Sequence, residues 1–234
     1  MGVSWVVEFP TGGAPLPATQ ERLIKHLKSK GAIVVDENFL VEALVFLPAH
    51  EGIKNSIHTI HHSDFPKTSF TAAVSSNYAP EVGSGLASNP DCVVVSTDRL
   101  FDKIICKFGD VLKEKPNITV KIKGVTTRLG DMLVKVGTMS LHVSGKAVVV
   151  ELEYAPCALA PNCAELLKEF YDDVIKPVQI NTAAGSTAAP TVNTNPLQRL
   201  PRAVARGQQE FGPVDTAVQY MDLVLQLRKL APTD

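Results

Sequence analysis

The chain has almost no net charge: 23 lysines and arginines stand against 24 aspartates and glutamates in 234 residues, a formal −1. That balance argues against a nucleic-acid binder or a protein held to acidic membranes by electrostatics. Four cysteines are present, Cys92, Cys106, Cys157 and Cys163, and no two stand at C-x-x-C spacing. A chain of this length needs no disulfide staples, so a reducing compartment is expected, cytoplasm or nucleus. No apolar run reaches the ~18 residues of a membrane-spanning helix. The opening MGVSWVVEFP lacks a basic segment, so no signal peptide is expected. G-x-S-x-G and G-x-x-x-x-G-K-[ST] are also missing, which removes the nucleophile elbow and the phosphate loop.

What is present is 45% apolar sequence in short periodic segments, enough for a sizeable core. Residues 2–9 alternate as a strand that should place Trp5 in the core. A helix is expected from a Thr19 cap to Lys30, stopped by Gly31. Residues 32–46 read as one long strand, or as two broken near Asp36-Glu37-Asn38. Residues 54–63 and 67–75 read as strands joined by Asp64-Phe65-Pro66, 77–91 as a loop, and 92–96 as a short strand. Asp98 should cap a helix reaching Glu114, with Leu100, Phe101, Ile104, Ile105, Phe108 and Leu112 as its apolar set.

After a strand at 118–123, two extended segments are expected around a Ser144-Gly145-Lys146 turn. The apolar set changes parity at Gly137, as at a β-bulge. Val148, Val150, Leu152 and Tyr154 then form an inner face. A helix opens at Asn162, with Glu165 three residues on as in a capping box. The sum is an α+β fold with a largely antiparallel sheet of about eight strands, long enough to curl or close, with helices inserted between strands.

Residues 1–177 form this domain; 178–207, with INTAAGSTAAPTVNTNP, read as a flexible linker. Residues 208–234 hold an amphipathic helix whose Val214, Val218, Met221, Val224 and Leu225 share one face, to dock on the domain or on a partner.

The chemistry rests on few residues. Glu151 and Glu153 stand two apart on a strand, the spacing of an E-x-E-x-K triphosphate-tunnel motif that holds a divalent metal. The lysine position is Ala155, and the inward candidates are valine, leucine and methionine. A solvated sheet face is therefore the expectation, and a divergent metal-dependent phosphohydrolase the alternative. His58, His61, His62 and Asp64 read as an exposed polar strand end, with His61 pointing away from the other two histidines; no further ligand completes a metal set. Cys157 and Cys163 read as structural. Arg199, Arg202 and Arg206 form a small basic patch, read as a solvated tail.

Three blocks, DMLVKVGTMS, VVVELEYAPC and FGPVDTAVQYMDLVLQLRK, together resemble the family of Mediator complex subunit 20 (TRF-proximal protein). The resemblance implies a curled, barrel-like antiparallel sheet with flanking helices. It implies a nuclear, non-enzymatic subunit of the Mediator head module, without cofactor or metal, serving RNA polymerase II transcription without contacting nucleic acid or membrane. It further implies pairing with Mediator subunit 18, a related barrel, and tethering through Mediator subunit 8.

Overall fold

Antiparallel pairing runs unbroken through a path of eight strands. The computed structural model describes residues 2–50, 53, 55–75, 93–179 and 210–229, with 227–229 described by backbone alone. The strands are β1 (Val3–Phe9), β2 (Ile33–Pro48), β3 (Asn55–His62), β4 (Thr68–Ser75), β5 (Val93–Asp98), β6 (Leu112–Glu114), β7 (Val120–Leu129), β8 (Met132–Leu141) and β9 (Ser144–Tyr154). Their order is β1-β9-β8-β7-β2-β3-β4-β5, with the short β6 added beside β2. The helices are α1 (Leu16–Ser29), α2 (Phe101–Cys106), α3 (Ala160–Phe170) and α4 (Pro213–Lys229). The fold is α+β, as its sequence implies.

The sheet is curled, as contacts across it require. β9 and β3 lie four steps apart in the strand order, about 19 Å in a flat sheet at ~4.8 Å per step. Yet Glu151 Oε2 of β9 lies 3.3 Å from His62 Nε2 of β3. Helix α4 touches β1, β3 and β5, so both terminal strands of the path meet one helix. The curl makes a half-barrel with two cores. On the convex side α1 and α3 cover Val3, Trp5, Val7, Val134, Val136, Val148, Val150 and Leu152. On the concave side Val6, Val41, Ile60, Ala72, Val94, Ile122, Met139 and Val149 pack around α4.

Several local expectations are corrected. The β8–β9 turn falls at His142-Val143, not at Ser144–Lys146; His142 takes a positive φ of 53° there. Gly137 marks no bulge, because β7 and β8 pair in register straight through Gly124 and Gly137, which stand opposite each other. What changes at Gly137 is which face is covered: Val134 and Val136 lie under the outer helices, and Met139 lies in the hollow. The crossing needs glycine, since a Cβ on Gly124 would lie 1.9 Å from the Val136 carbonyl oxygen. The helix expected at 98–114 is only α2; turns then lead through Gly109 to β6, whose pairing with β2 competes with further helix. Asp98 does accept the Leu100 N–H, but in a turn ahead of α2. α1 begins at Leu16, where Pro17 suits the first turn, and Thr19 is buried within the helix instead of capping it. α3 begins at Ala160 with no side-chain cap, so the Asn162–Glu165 capping box is not formed. The long strand β2 is single, with register shifts from Val34 to Phe39. Gly31 ends α1 with φ 95°, as its position implies. The expected loop at 77–91, nearly all of the linker at 178–207 and the three arginines Arg199, Arg202 and Arg206 lie outside the described residues.

Candidate functional site

The concave face holds a buried ionic cluster. Strand register sets Lys135 of β8 directly opposite Glu151 of β9. Their neighbours in sequence, Val134, Val136, Val150 and Leu152, belong to the convex core, so alternation turns Lys135, Glu151 and Glu153 inward. Lys135 Nζ donates to Glu151 Oε1 at 2.7 Å and to Asp64 Oδ2, and lies 3.6 Å from Glu153 Oε2. Tyr220 of α4 donates its hydroxyl to Glu151 Oε2 at 2.6 Å. Glu153 Oε1 accepts the Gly2 backbone N–H at 2.9 Å. His62 is wedged among Phe39, Phe65 and Tyr220, with ring centroids 5.5 to 5.7 Å away.

Glu151 and Glu153 are therefore not the wet side of a sheet; Glu151 is 1% exposed and Glu153 7%. The physical reason is that β9 is covered on both faces, and alternation cannot tell a solvated face from a second core. Nor do the two glutamates form an open metal seat, because the Lys135 ammonium occupies the place of a cation among three carboxylates. Among the described residues no group of His, Cys, Asp or Glu is arranged to hold a metal ion. The histidines are likewise not an exposed strand end. His58 bonds Ser56 Oγ at 2.9 Å and His62 faces the hollow. His61 points to the convex side, 3.5 Å from Asp102, and all three are buried.

Electrostatics hold the pair in its charged form. Burial alone would lower the Lys135 pKa, but the Glu151 and Asp64 carboxylates outweigh it and hold it above its ordinary value. Burial would raise Glu151, but the Lys135 charge and the His62 contacts hold it well below the usual carboxylate range. Burial beside Glu151 pushes Tyr220 well above its usual value, so it donates as a neutral phenol. A carboxylate held low in the folded state loses its contribution as the unfolded chain begins to bind a proton. Stability is thus expected to fall as pH drops through ~4.5, and, for the raised Lys135, as pH climbs above ~10.5. Chemical denaturation across that range checks both limbs; a midpoint unchanged down to pH ~3 would contradict the buried pair.

Helix α4 is placed by polar contacts as well as apolar ones. Gln219 accepts the Val6 N–H and donates to the Ser4 carbonyl, both at 2.9 Å, so one side chain stands in for a further strand at the β1 edge. Of the face named from sequence, Val218, Met221 and Val224 are buried against the concave sheet, and Val214 and Leu225 are partly buried there. Tyr220→Phe is expected to lower stability by about 1–3 kcal/mol, because it leaves a buried carboxylate oxygen short of a donor. A melting curve unchanged by that substitution would show that the hydrogen bond contributes nothing. Trp5 is buried edge-on to Tyr171, ring centroids 5.2 Å apart, and is no stacking platform. Cys157 and Cys163 are free thiols in or beside the convex core, with Cys163 pushed up to about 12 by burial and by Cys157.

The sequence model described as "TATA-binding related factor (TRF) of subunit 20 of Mediator complex" matches residues 1–225. Among curated relatives, subunit 20 of Mediator of RNA polymerase II transcription from Aedes aegypti is 27% identical over 98% of this chain and 95% of its own length. The Homo sapiens subunit is also 27% identical, with the same coverage. Among solved structures, the Schizosaccharomyces pombe Mediator head module superposes with a TM-score of 0.32 at 10% identity, over 64% of this chain and 79% of that one. That overlap is too loose to add to the sequence matches. With a match running almost end to end, this chain belongs to the family of subunit 20 of the Mediator complex, a non-catalytic transcription coactivator subunit.

Proposed function

We propose that this chain works in the nucleus as a non-catalytic scaffold subunit of the Mediator head module. In this reading it pairs with Mediator subunit 18, is tethered through Mediator subunit 8, and helps regulate RNA polymerase II transcription. The observation that carries the reading is the family match over residues 1–225. Its physical support is the state of the hollow. A tunnel that hydrolyses triphosphates needs open space, a metal seat and several free cations. Here α4 fills the space, and the buried lysine is consumed by Glu151 and Asp64.

Pairing should leave the concave face as it is and use outer surface. Co-expression with Mediator subunit 18 should yield one heterodimer peak on a sizing column. Two separate peaks at micromolar concentration would contradict the pairing. The five residues of the α4 face, Val214, Val218, Met221, Val224 and Leu225, act in this proposal on the chain's own sheet, and affect the partner only by keeping the half-barrel in shape.

A further inference from the structure

The convex side carries an apolar stripe that stays exposed on the folded chain. Asp102 of α2 reaches His61, whose side chain points away from the hollow, so α2 lies on the convex face. Ile105 is the buried anchor of α2, while Leu100, Ile104, Phe108 and Val111 stand 42 to 58% exposed. Successive turns link them, Ile104 N–H to the Leu100 carbonyl, Lys107 N–H to Ile104, and Val111 N–H to Phe108. At about 100° per residue, Leu100, Ile104 and Phe108 form one outward row, and Lys103 and Lys107 border it on the side away from Ile105.

The charges along this row are not balanced locally. Asp102 is turned toward His61 and accepts the Lys103 N–H, Asp98 is engaged by the Leu100 N–H, and Glu114 by the Cys106 thiol. Arg99 faces Glu42, and Asp110, three residues after Lys107, makes no ion pair with either lysine among the described residues. Among the described residues neither Lys103 nor Lys107 pairs with a carboxylate. An apolar row with two cations one helical turn apart along one border is complementary to one kind of surface. That surface is a helix whose apolar row is bordered by two acids four residues apart. Exposed rows of large apolar residues are uncommon on proteins that meet no partner.

We infer that the Leu100–Ile104–Phe108 stripe of α2 and the turns after it docks an amphipathic helix of a partner protein, with acids on one border meeting Lys103 and Lys107. The stripe matches about two turns of partner helix, and interhelical spacing of about 8–10 Å puts its acids within reach of both lysines. This surface lies opposite the hollow, and its test uses the chain without subunit 18.

The test uses the full chain and two labelled peptides of about 18 residues, with the same leucine row bordered by glutamates in one and by lysines in the other. Fluorescence anisotropy should show saturable binding of the glutamate peptide only. Ile104→Asp should weaken it about tenfold or more, as should the double change Lys103→Glu with Lys107→Glu. The double variant should bind the lysine peptide instead. All three positions are exposed, so unchanged melting curves should accompany these losses. Absence of saturable binding, equal binding of both peptides by the unaltered chain, or binding indifferent to either variant would overturn the inference.

Discussion

Lys135→Met is expected to lower the stability of this chain by about 3–5 kcal/mol, the largest loss from any single charge removal here. Lys135 is 2% exposed, and its ammonium is the direct partner of Glu151, itself 1% exposed. Removing it leaves the buried Glu151 carboxylate with a phenol and an imidazole as donors, and two further carboxylates, Asp64 and Glu153, around the vacated position. The pH dependence should also reverse in sign. In the unaltered chain the Glu151 pKa is depressed, so acid destabilises. Without Lys135, burial would raise that pKa above its unfolded value, so stability would increase as pH falls. A second change, Glu151→Gln, in the same chain should recover much of the loss, because the amide can still meet Tyr220 and His62 and the most deeply buried of the three carboxylates is then neutral. Denaturant titrations of the two single variants and the double variant close the cycle. A Lys135→Met chain as stable as the parent would show that the pair is not energetically coupled.

Met221→Asp should cost about 4 kcal/mol or more, or prevent folding altogether. Met221 sits in the middle of α4, buried among concave strand residues such as Ile60 and Ile122. The aspartate would lose the methionine's packing and place a charge where, among the described residues, no cation is free. Lys135, the cation of the hollow, is already held by Asp64 and Glu151. Met221→Leu, which conserves volume, should cost less than ~1.5 kcal/mol. Thermal melting of both variants separates a buried face from an exposed one. An unchanged Met221→Asp curve would mean that α4 leaves the sheet in solution.

Much of the sheet was legible because its strands are short, alternating and bounded by turn residues. β1, β3, β4 and the apolar positions of α4 are visible in that pattern, but the helix is not amphipathic in its setting, since every residue from Thr216 to Val224 is buried. The ionic cluster was not, and one misplaced turn explains why. A turn centred on Gly145 would put Lys135 opposite Ala155. The observed turn at His142-Val143, together with a one-residue register shift between Met139 and Ser140, puts it opposite Glu151. The signal that could have found the pair was a lone lysine in the run LVKVG and glutamates in VVVELEY, two charged interruptions at matching depth in adjacent strands. The second obstacle was two-sided burial. Val149 interrupts the alternation of β9, a sign that both faces are covered, yet Glu151 and Glu153 still read as a solvated face. Asp64 and Tyr220 join the cluster from a turn and from a distant helix, and no local pattern connects them. The shortness of α2 was hidden for a similar reason, since β6 gains its strand partner from residues 46–48.

Calorimetric titration of the full chain with the preformed Mn²⁺–tripolyphosphate complex, with the heat of dilution subtracted, tests the filled, self-neutralised hollow most directly. The structure predicts no saturable heat, because Lys135 stands where the metal would and α4 where the phosphates would. Stoichiometric binding that disappears with Glu151→Gln would contradict it and return the chain to the metal-dependent phosphohydrolases.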